Sequence, residues 1–243
     1  MRKIHVVMNS KGGIGKSFVA GLIAQFLKDR GEPVTCFDTD AQNRTLSDLR
    51  ALNAEPVSIF KDDDTAAVDI RAIDRMVERF LTEDSHFVVD SGSTTFVPLS
   101  SFLVMEGTVH EALADAGKEM VVHAIVSGGP ELVHCGKGLE AMALQFPASV
   151  RLIVWLNEHH GQIQPAIGMP FEETAVFQAH KDRISGVVHL GRLNPVTFGA
   201  DLAEMLSRGM TFAEADKSDF YIMTRQRLRQ IQRPIWTQLS AVL

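Results

Sequence analysis

The chain has 243 residues, 45% of them hydrophobic and 22% charged, with a net charge of -6. That is the make-up of an ordinary globular protein, long enough for one large α/β domain or two small ones. The acidic balance excludes a surface coated with positive charge for nucleic acid. No apolar run approaches the roughly 20 residues that span a bilayer. "MRKIHVVMN" has too short an apolar core for a signal peptide. Cys36 and Cys135 show no metal-ligand spacing, no disulfide framework and no setting that suggests an iron–sulfur cluster. The expected compartment is the cytoplasm.

In chain order, "KIHVVMN" reads as a strand. "GKSFVAGLIAQFLKDRG" follows with Val19, Leu22, Ile23 and Phe26 at helical period, closed by Gly31. "PVTCFD" is a second strand, "DIRAIDRMVERFL" a helix and "HFVVD" a buried strand. After "FVPLSSFLVMEG" and "VHEALADAG" come the strand "MVVHAIV" and the helical "PELVHCGKGLEAMALQF". The strand "RLIVWLN", a helix near "FEETAVFQAHKD", the strand "ISGVVHL" and a helical C-terminal quarter complete the chain. Apolar runs without polar alternation are what strands buried on both faces look like. Their alternation with helices predicts an α/β fold with a mainly parallel sheet and helices on both faces. No repeat, low-complexity segment or linker divides the chain, so residues 1–243 are expected to form a single domain.

The stretch "NSKGGIGKSF", Asn9 to Phe18, lies between a predicted strand and a predicted helix, the context a P-loop requires. Gly12, Gly13 and Gly15 let the backbone bend so that successive N–H groups face a phosphate, and the helix start adds partial positive charge. The nucleotide-binding set is Gly12, Gly13, Ile14, Gly15, Lys16, Ser17 and Phe18. Lys16 would neutralise β/γ-phosphate charge and Ser17 would offer its hydroxyl to Mg²⁺. The strict pattern G-x-x-x-x-G-K-[ST] is not met, because Ser10 stands in place of the first glycine. The second strand ends in "FDTDAQN", with Asp38 and Asp40 two apart and so on one side of an extended chain end. Carboxylates at the C-terminal edge of a parallel sheet reach a ligand in the crevice there. "HFVVDSGST" reads as a Walker B strand whose Asp90 would bind Mg²⁺ through water, with Ser91 and Gly92 opening a nucleotide-responsive segment. The adjacent His159 and His160 are read as an exposed loop, since neighbours on a strand end point apart and no carboxylate pair joins them.

"KGGIGKS" resembles the deviant Walker A motif of the ParA/MinD superfamily of P-loop ATPases. The resemblance implies that Lys11 crosses a dimer interface to the phosphates of the partner's nucleotide. "DTDAQN" resembles the family's D-x-D-P-Q-x-N switch, with Ala41 in place of proline. By that resemblance Asp40 helps hold the magnesium shell and orients the attacking water, and Asp38 interacts with a loop lysine. It further implies that Asn157, after "RLIVWL", hydrogen-bonds adenine, with backbone near Gly191 to Leu193 completing the base pocket. ATP over GTP also accords with the lack of an N-K-x-D guanine motif. Beyond the site, "DTD", "FVPLS", "VSGG", "VWLN" and "IMTRQRL" resemble the TraL-type nucleotide-binding proteins of conjugative plasmid transfer operons. The implied activity is slow, partner-stimulated ATP hydrolysis by a nucleotide-dependent homodimer that engages conjugation or DNA-positioning proteins. Two alternatives stand beside it: a regulatory or scaffold protein with negligible hydrolysis, kept open by Ser10 and Ala41, and a plasmid-partition or positioning ATPase. A biosynthetic, carboxylate-activating enzyme of the same superfamily lacks visible acceptor-binding residues.

The last 23 residues, 221–243, carry four arginines and no acid, leaving -10 on residues 1–220. Leu228, Ile231, Ile235 and Leu239 follow helical spacing, and Pro234 is expected to break or kink that helix. Packing against the sheet, a weak DNA-backbone contact through Arg225, Arg227 and Arg229, and a membrane-surface helix are all open readings of this segment, in that order.

Overall fold

The computed structural model describes residues 1–40, 45–61, 64–106, 108–164 and 168–243. Its elements are β1 (Lys3–Met8), α1 (Lys16–Asp29), β2 (Val34–Asp38), α2 (Thr45–Asp48), β3 (Glu55–Pro56), β4 (Phe60–Lys61), β5 (Asp64–Val68), α3 (Ile70–Thr82), β6 (His86–Asp90), α4 (Phe96–Ser101) and α5 (Val109–Asp115). The chain continues through β7 (Glu119–Ser127), α6 (Leu132–Gln145), β8 (Arg151–Asn157), α7 (Ala175–His180), β9 (Ile184–Leu190), α8 (Phe198–Ser207), α9 (Phe212–Lys217) and α10 (Ile222–Val242). Seven strands form one parallel sheet in the order β3-β2-β6-β1-β7-β8-β9, while β4 and β5 pair as a separate antiparallel hairpin. The α/β architecture with a parallel sheet is the one read from the sequence. The edge strand β3 was not anticipated: two residues are too short to show any period.

β1 lies at the centre, flanked by β6 and β7. The chain winds to one side of β1 first and to the other later, so a crevice opens beyond its carboxyl end, where such sheets bind ligands. The strands beside it are covered on both faces: all five residues of β6 and eight of nine in β7 are buried. Phe37, Phe80 and Phe87 close the core under α3, with ring centroids 4.9–6.0 Å apart. Asp69 starts α3 as its N-cap, accepting from Ala72 N at 3.2 Å.

A polar chain crosses the middle of this apolar sheet. The Trp155 indole can only donate, so His123 Nδ1 accepts from it at 3.0 Å. A neutral His123 then carries its proton on Nε2, which donates to His5 Nδ1 at 3.0 Å. The remaining proton falls on His5 Nε2, which has no hydrogen-bond partner among the described residues. Both rings are fully buried, and burial drives both pKa values down, His123 to about 3.

The C-terminal segment packs as one helix. Leu228, Ile231, Ile235 and Leu239 are all buried, and the helix runs on through Pro234. The expected break does not occur, because this apolar stripe is anchored on both sides of the proline and its burial outweighs one lost hydrogen bond. Gln238 lies along the free edge of β9: its Oε1 accepts from His189 N at 2.7 Å and its Nε2 donates to His189 O at 3.1 Å. The side-chain amide stands in for a neighbouring strand and covers an edge open to pairing. Lys3 Nζ donates to the Leu243 carbonyl and Arg151 to that of Val242, fastening the helix end to β1 and β8. Arg227 pairs with Asp201 and Arg229 with Asp216, while Arg225 donates to the Asp216 carbonyl at 3.2 Å. Of the three readings of this segment, packing is the one these contacts favour.

Candidate functional site

The β1–α1 loop is built around positive φ at Gly13 and Gly15, 74° and 96°. Gly15 caps α1, and a Cβ there would stand 2.8 Å from Asn157 Nδ2. Asn157 fills that space: Nδ2 donates to Ile14 O at 3.0 Å, and Oδ1 accepts from His159 N at 3.1 Å. The structure therefore brings the asparagine of β8 onto the loop, 143 residues from Ile14 in sequence, as its support. Ile14 is buried, Gly12 and Gly13 are exposed, and Ser17 and Phe18 are half-buried at the start of α1. Lys16 is nearly buried and donates to the Lys11 carbonyl at 2.7 Å. Burial pulls its pKa down, and Asp90 and Asp40 oppose that shift.

Several supports of the loop carry no recognisable motif. Asn9 is fully buried at the end of β1, where it donates to Ile125 O at 2.7 Å and accepts from Lys11 N at 3.0 Å. The start of α6 then follows the loop residue by residue. Lys11 Nζ lies 3.2 Å from Glu131 Oε1. Ser10 Oγ lies 3.2 Å from His134 Nε2, and a Cβ on Gly138 would meet the Asn9 carboxamide at 3.4 Å. Positions 131, 134 and 138 share one helix face. Ser10, the departure from the strict motif, thus has its own partner. On the other side, His160 Nε2 lies 3.0 Å from Gly13 O, so this histidine of the expected free loop touches the phosphate loop. It is brought there by a backbone contact so close that a Cβ on Gly128 would fall 2.0 Å from Gly161 O. An asparagine ending a strand before a glycine loop was the one signal of this group legible in advance.

The acids lie where the strands end. Asp90 closes β6 with its carboxylate fully buried, and neither oxygen makes a well-formed hydrogen bond among the described residues. Burial lifts its pKa to about 7, although the nearby Ser17 hydroxyl and Lys16 pull it down. Asp38 is engaged differently from the expectation. Rather than meeting a loop lysine, it accepts from Asp40 N at 3.1 Å and from Ser47 N and Oγ at 3.2 and 3.0 Å. It serves the start of α2, because the donors nearest a buried strand end are those of the next helix. Asp40 sits against Gly92, where a Cβ would come within 3.1 Å of its carboxyl carbon. The two acidic segments are tied together: Thr39 N and Oγ1 both donate to Asp90 O at 2.9 Å, and Thr39 Oγ1 lies 3.3 Å from Thr95 Oγ1. Ala41 and the rest of "DAQN" after Asp40 lie outside the described residues. Among the described residues no cluster of three His, Cys, Asp or Glu could hold a metal, and both cysteines are buried and free.

A glycine loop between the central strand and its helix, a buried lysine within it and carboxylates on the two next strand ends define a P-loop NTPase. The comparisons place it further. A family model described as ParA, NUBPL iron-transfer P-loop NTPase, matches residues 1–106. Two Escherichia coli proteins called Protein TraL are 39% and 38% identical over 241 and 243 residues, covering 99% of this chain and 98% of each relative. The MinD cell division protein of Aquifex aeolicus shares the fold at TM-score 0.51 and 15% identity, with 95% of both chains covered. MinD in the MinC:MinD complex of the same organism gives 0.53 and 16%, covering 96% of this chain and 94% of that one. The chain belongs to the family of the TraL proteins, and its first 106 residues match the ParA P-loop NTPase model.

Proposed function

We propose that this protein is a Mg·ATP-dependent ATPase that acts as a dimerising switch in conjugative DNA transfer. The observation that carries the proposal is Asp90, a buried carboxylate beside the loop lysine and serine whose oxygens make no well-formed hydrogen bond among the described residues. Such a group calls for a cation or a proton. Mg²⁺ suits it, since this ion takes one or two carboxylates and completes its shell with water and phosphate oxygens. Ser17, Asp40 and Asp90 would hold it, and the bound ion would neutralise charge on the transferred phosphoryl group.

The chain's own groups divide the remaining work. Backbone N–H groups from Gly12 to Phe18 cradle the phosphates, and Lys16 exchanges the Lys11 carbonyl for a phosphate oxygen. Asp40 orients the attacking water. Asn157 gives one N–H to the loop at Ile14 O and one lone pair to His159 N, which leaves one of each for the adenine edge. Lys11 supplies positive charge to the partner's site, as an arginine finger does. The setting in conjugation rests on full-length similarity to the TraL proteins. A DNA contact through α10 is not included, because two of its arginines are paired within the chain.

Equilibrium binding of a fluorescent ATP analogue, with and without Mg²⁺, tests the reading. Mg²⁺ should tighten binding to the parent protein and leave Asp90→Asn indifferent; an Asp90→Asn variant with undiminished Mg²⁺ dependence would falsify the metal assignment. Light scattering of Asp40→Ala, which should trap the ATP state, should show a dimer with Mg·ATP and a monomer with Mg·ADP. ATP binding without any dimer, or with no phosphate release on addition of the transfer machinery, would favour a regulatory nucleotide instead.

A further inference from the structure

Lys11 is held at all three of its polar points by its own chain. Its N–H is taken by Asn9 Oδ1 at 3.0 Å, its carbonyl by Lys16 Nζ at 2.7 Å and its ammonium by Glu131 Oε1 at 3.2 Å. Two of these ties respond differently to a bound phosphate. The Lys16 ammonium must leave the Lys11 carbonyl to reach phosphate, so loading the loop removes one tie directly. The Glu131 tie lies outside the loop, at the N-cap of α6, and phosphate does not compete for it. Its side chains are 41% and 31% exposed, which makes it an ion pair weak enough to open.

We propose that Glu131 is a positioning residue that holds Lys11 on its own chain, as a latch that must open before Lys11 can serve a second copy of the protein. The inference rests on the dimerising reading above and adds to it the order of events. Nucleotide first takes Lys16 from the Lys11 carbonyl; the half-exposed Glu131 pair then yields to the stronger negative charge of a partner's phosphates. The same arrangement keeps an empty chain from pairing, since without nucleotide both ties stand and no phosphate attracts Lys11 from the other side. His134, bonded to Ser10 one residue earlier, steadies the loop while the latch is shut.

Two measurements test the latch and keep its failure apart from that of the parent reading. A water-soluble carbodiimide joins only carboxylates and amines in direct contact. It should give an intrachain Lys11–Glu131 crosslink in the nucleotide-free monomer, found by peptide mass spectrometry and lost from the Mg·ATP-bound Asp40→Ala protein. In the second, Glu131→Gln keeps the side chain's size and removes its charge. An exposed pair of this kind is worth about threefold per chain, so a dimer that opens two latches should associate roughly tenfold more tightly. Combining Glu131→Gln with Lys11→Ala should abolish that gain. Absence of the crosslink in the monomer, its persistence in the dimer, or an unchanged association constant with a dimerising parent each overturns the latch alone. A parent that stays monomeric with Mg·ATP bound overturns both the latch and the switch.

Discussion

The lysines of the β1–α1 loop and the arginines of α10 are the two basic clusters of an acidic chain, and they are held in different ways. Arg227 and Arg229 each meet a carboxylate of the helices they pack on, Asp201 and Asp216. Their charge is answered within the fold, so they fasten α10 and have little left for an outside anion. Lys16 instead meets a carbonyl, which it can exchange for a stronger acceptor, and Lys11 meets a carboxylate half in water. Near them the acid is the unsatisfied party: buried Asp90 makes no well-formed hydrogen bond among the described residues. A cation paired with a buried carboxylate, as Arg227 is with Asp201, reads as structure. Cations held by exchangeable partners beside an unsatisfied acid read as a site.

The contrast is broken most decisively through the lysine. Lys16→Ala should slow phosphate release about 10²–10³-fold in a coupled assay, whereas Arg225, Arg227 and Arg229 replaced together by alanine should leave it within about twofold. The same triple variant should melt at a lower temperature than the parent and bind DNA no more weakly. A variant that keeps its melting temperature and loses DNA binding would reverse the assignment of the two clusters.

The centre of the sheet supplies an uncharged case for comparison. His5 and His123 are neutral in the fold and face Trp155, His86, Lys3 and Arg151. Their pKa values lie below the ordinary 6.5, so the unfolded chain binds more protons as pH falls. Stability should therefore be full above about pH 6.5 and fall below it by up to about 1.4 kcal/mol per pH unit for each histidine, the His123 contribution ending at about pH 3. Urea unfolding at pH 7, 6 and 5 reads this slope, and His123→Leu should flatten it while lowering stability at pH 7 through the orphaned Trp155 N–H. An equal slope in that variant would assign the acid sensitivity elsewhere.

Gly15→Ala places a Cβ at φ 96° and against Asn157, at an expected cost of about 1–3 kcal/mol and with loss of nucleotide binding. A melting curve and a binding titration would show both losses, and a variant that melts lower yet binds normally would separate the glycine's shape from the site. The smallest effect is expected at Gln238→Ala, about 1 kcal/mol or less from two exposed bonds to His189. Self-association should rise at high concentration as the β9 edge is uncovered, and sedimentation would detect it.

Not all of this was legible in the sequence. The glycine loop, Lys16, Asp40 and Asp90 announce themselves because each depends on a few consecutive residues at a strand end. Asp38 was misjudged, since an acid after a strand is equally suited to the next helix, and only the position of Ser47 decides between them. Pro234 obeyed its local rule only until a buried stripe on either side of it outweighed the rule. His160 lies in an exposed turn as expected, but nothing near it in sequence shows that Gly128 and Gly161 bring it to Gly13.

The sequence alone determined six strands of the parallel sheet, the α/β class and the residues proposed to touch a phosphate or a metal. Those follow from backbone sterics, apolar period and side-chain chemistry acting over fewer than about 20 residues. The tertiary structure decided which distant groups hold the site: Asn157 behind Gly15, α6 along Asn9 to Lys11, and Thr95 against Thr39. It also decided that Arg227 and Arg229 of α10 are paired and that Lys11 meets Glu131. Contacts across 56 residues or more depend on the order of strands in the sheet, and no local pattern encodes that order.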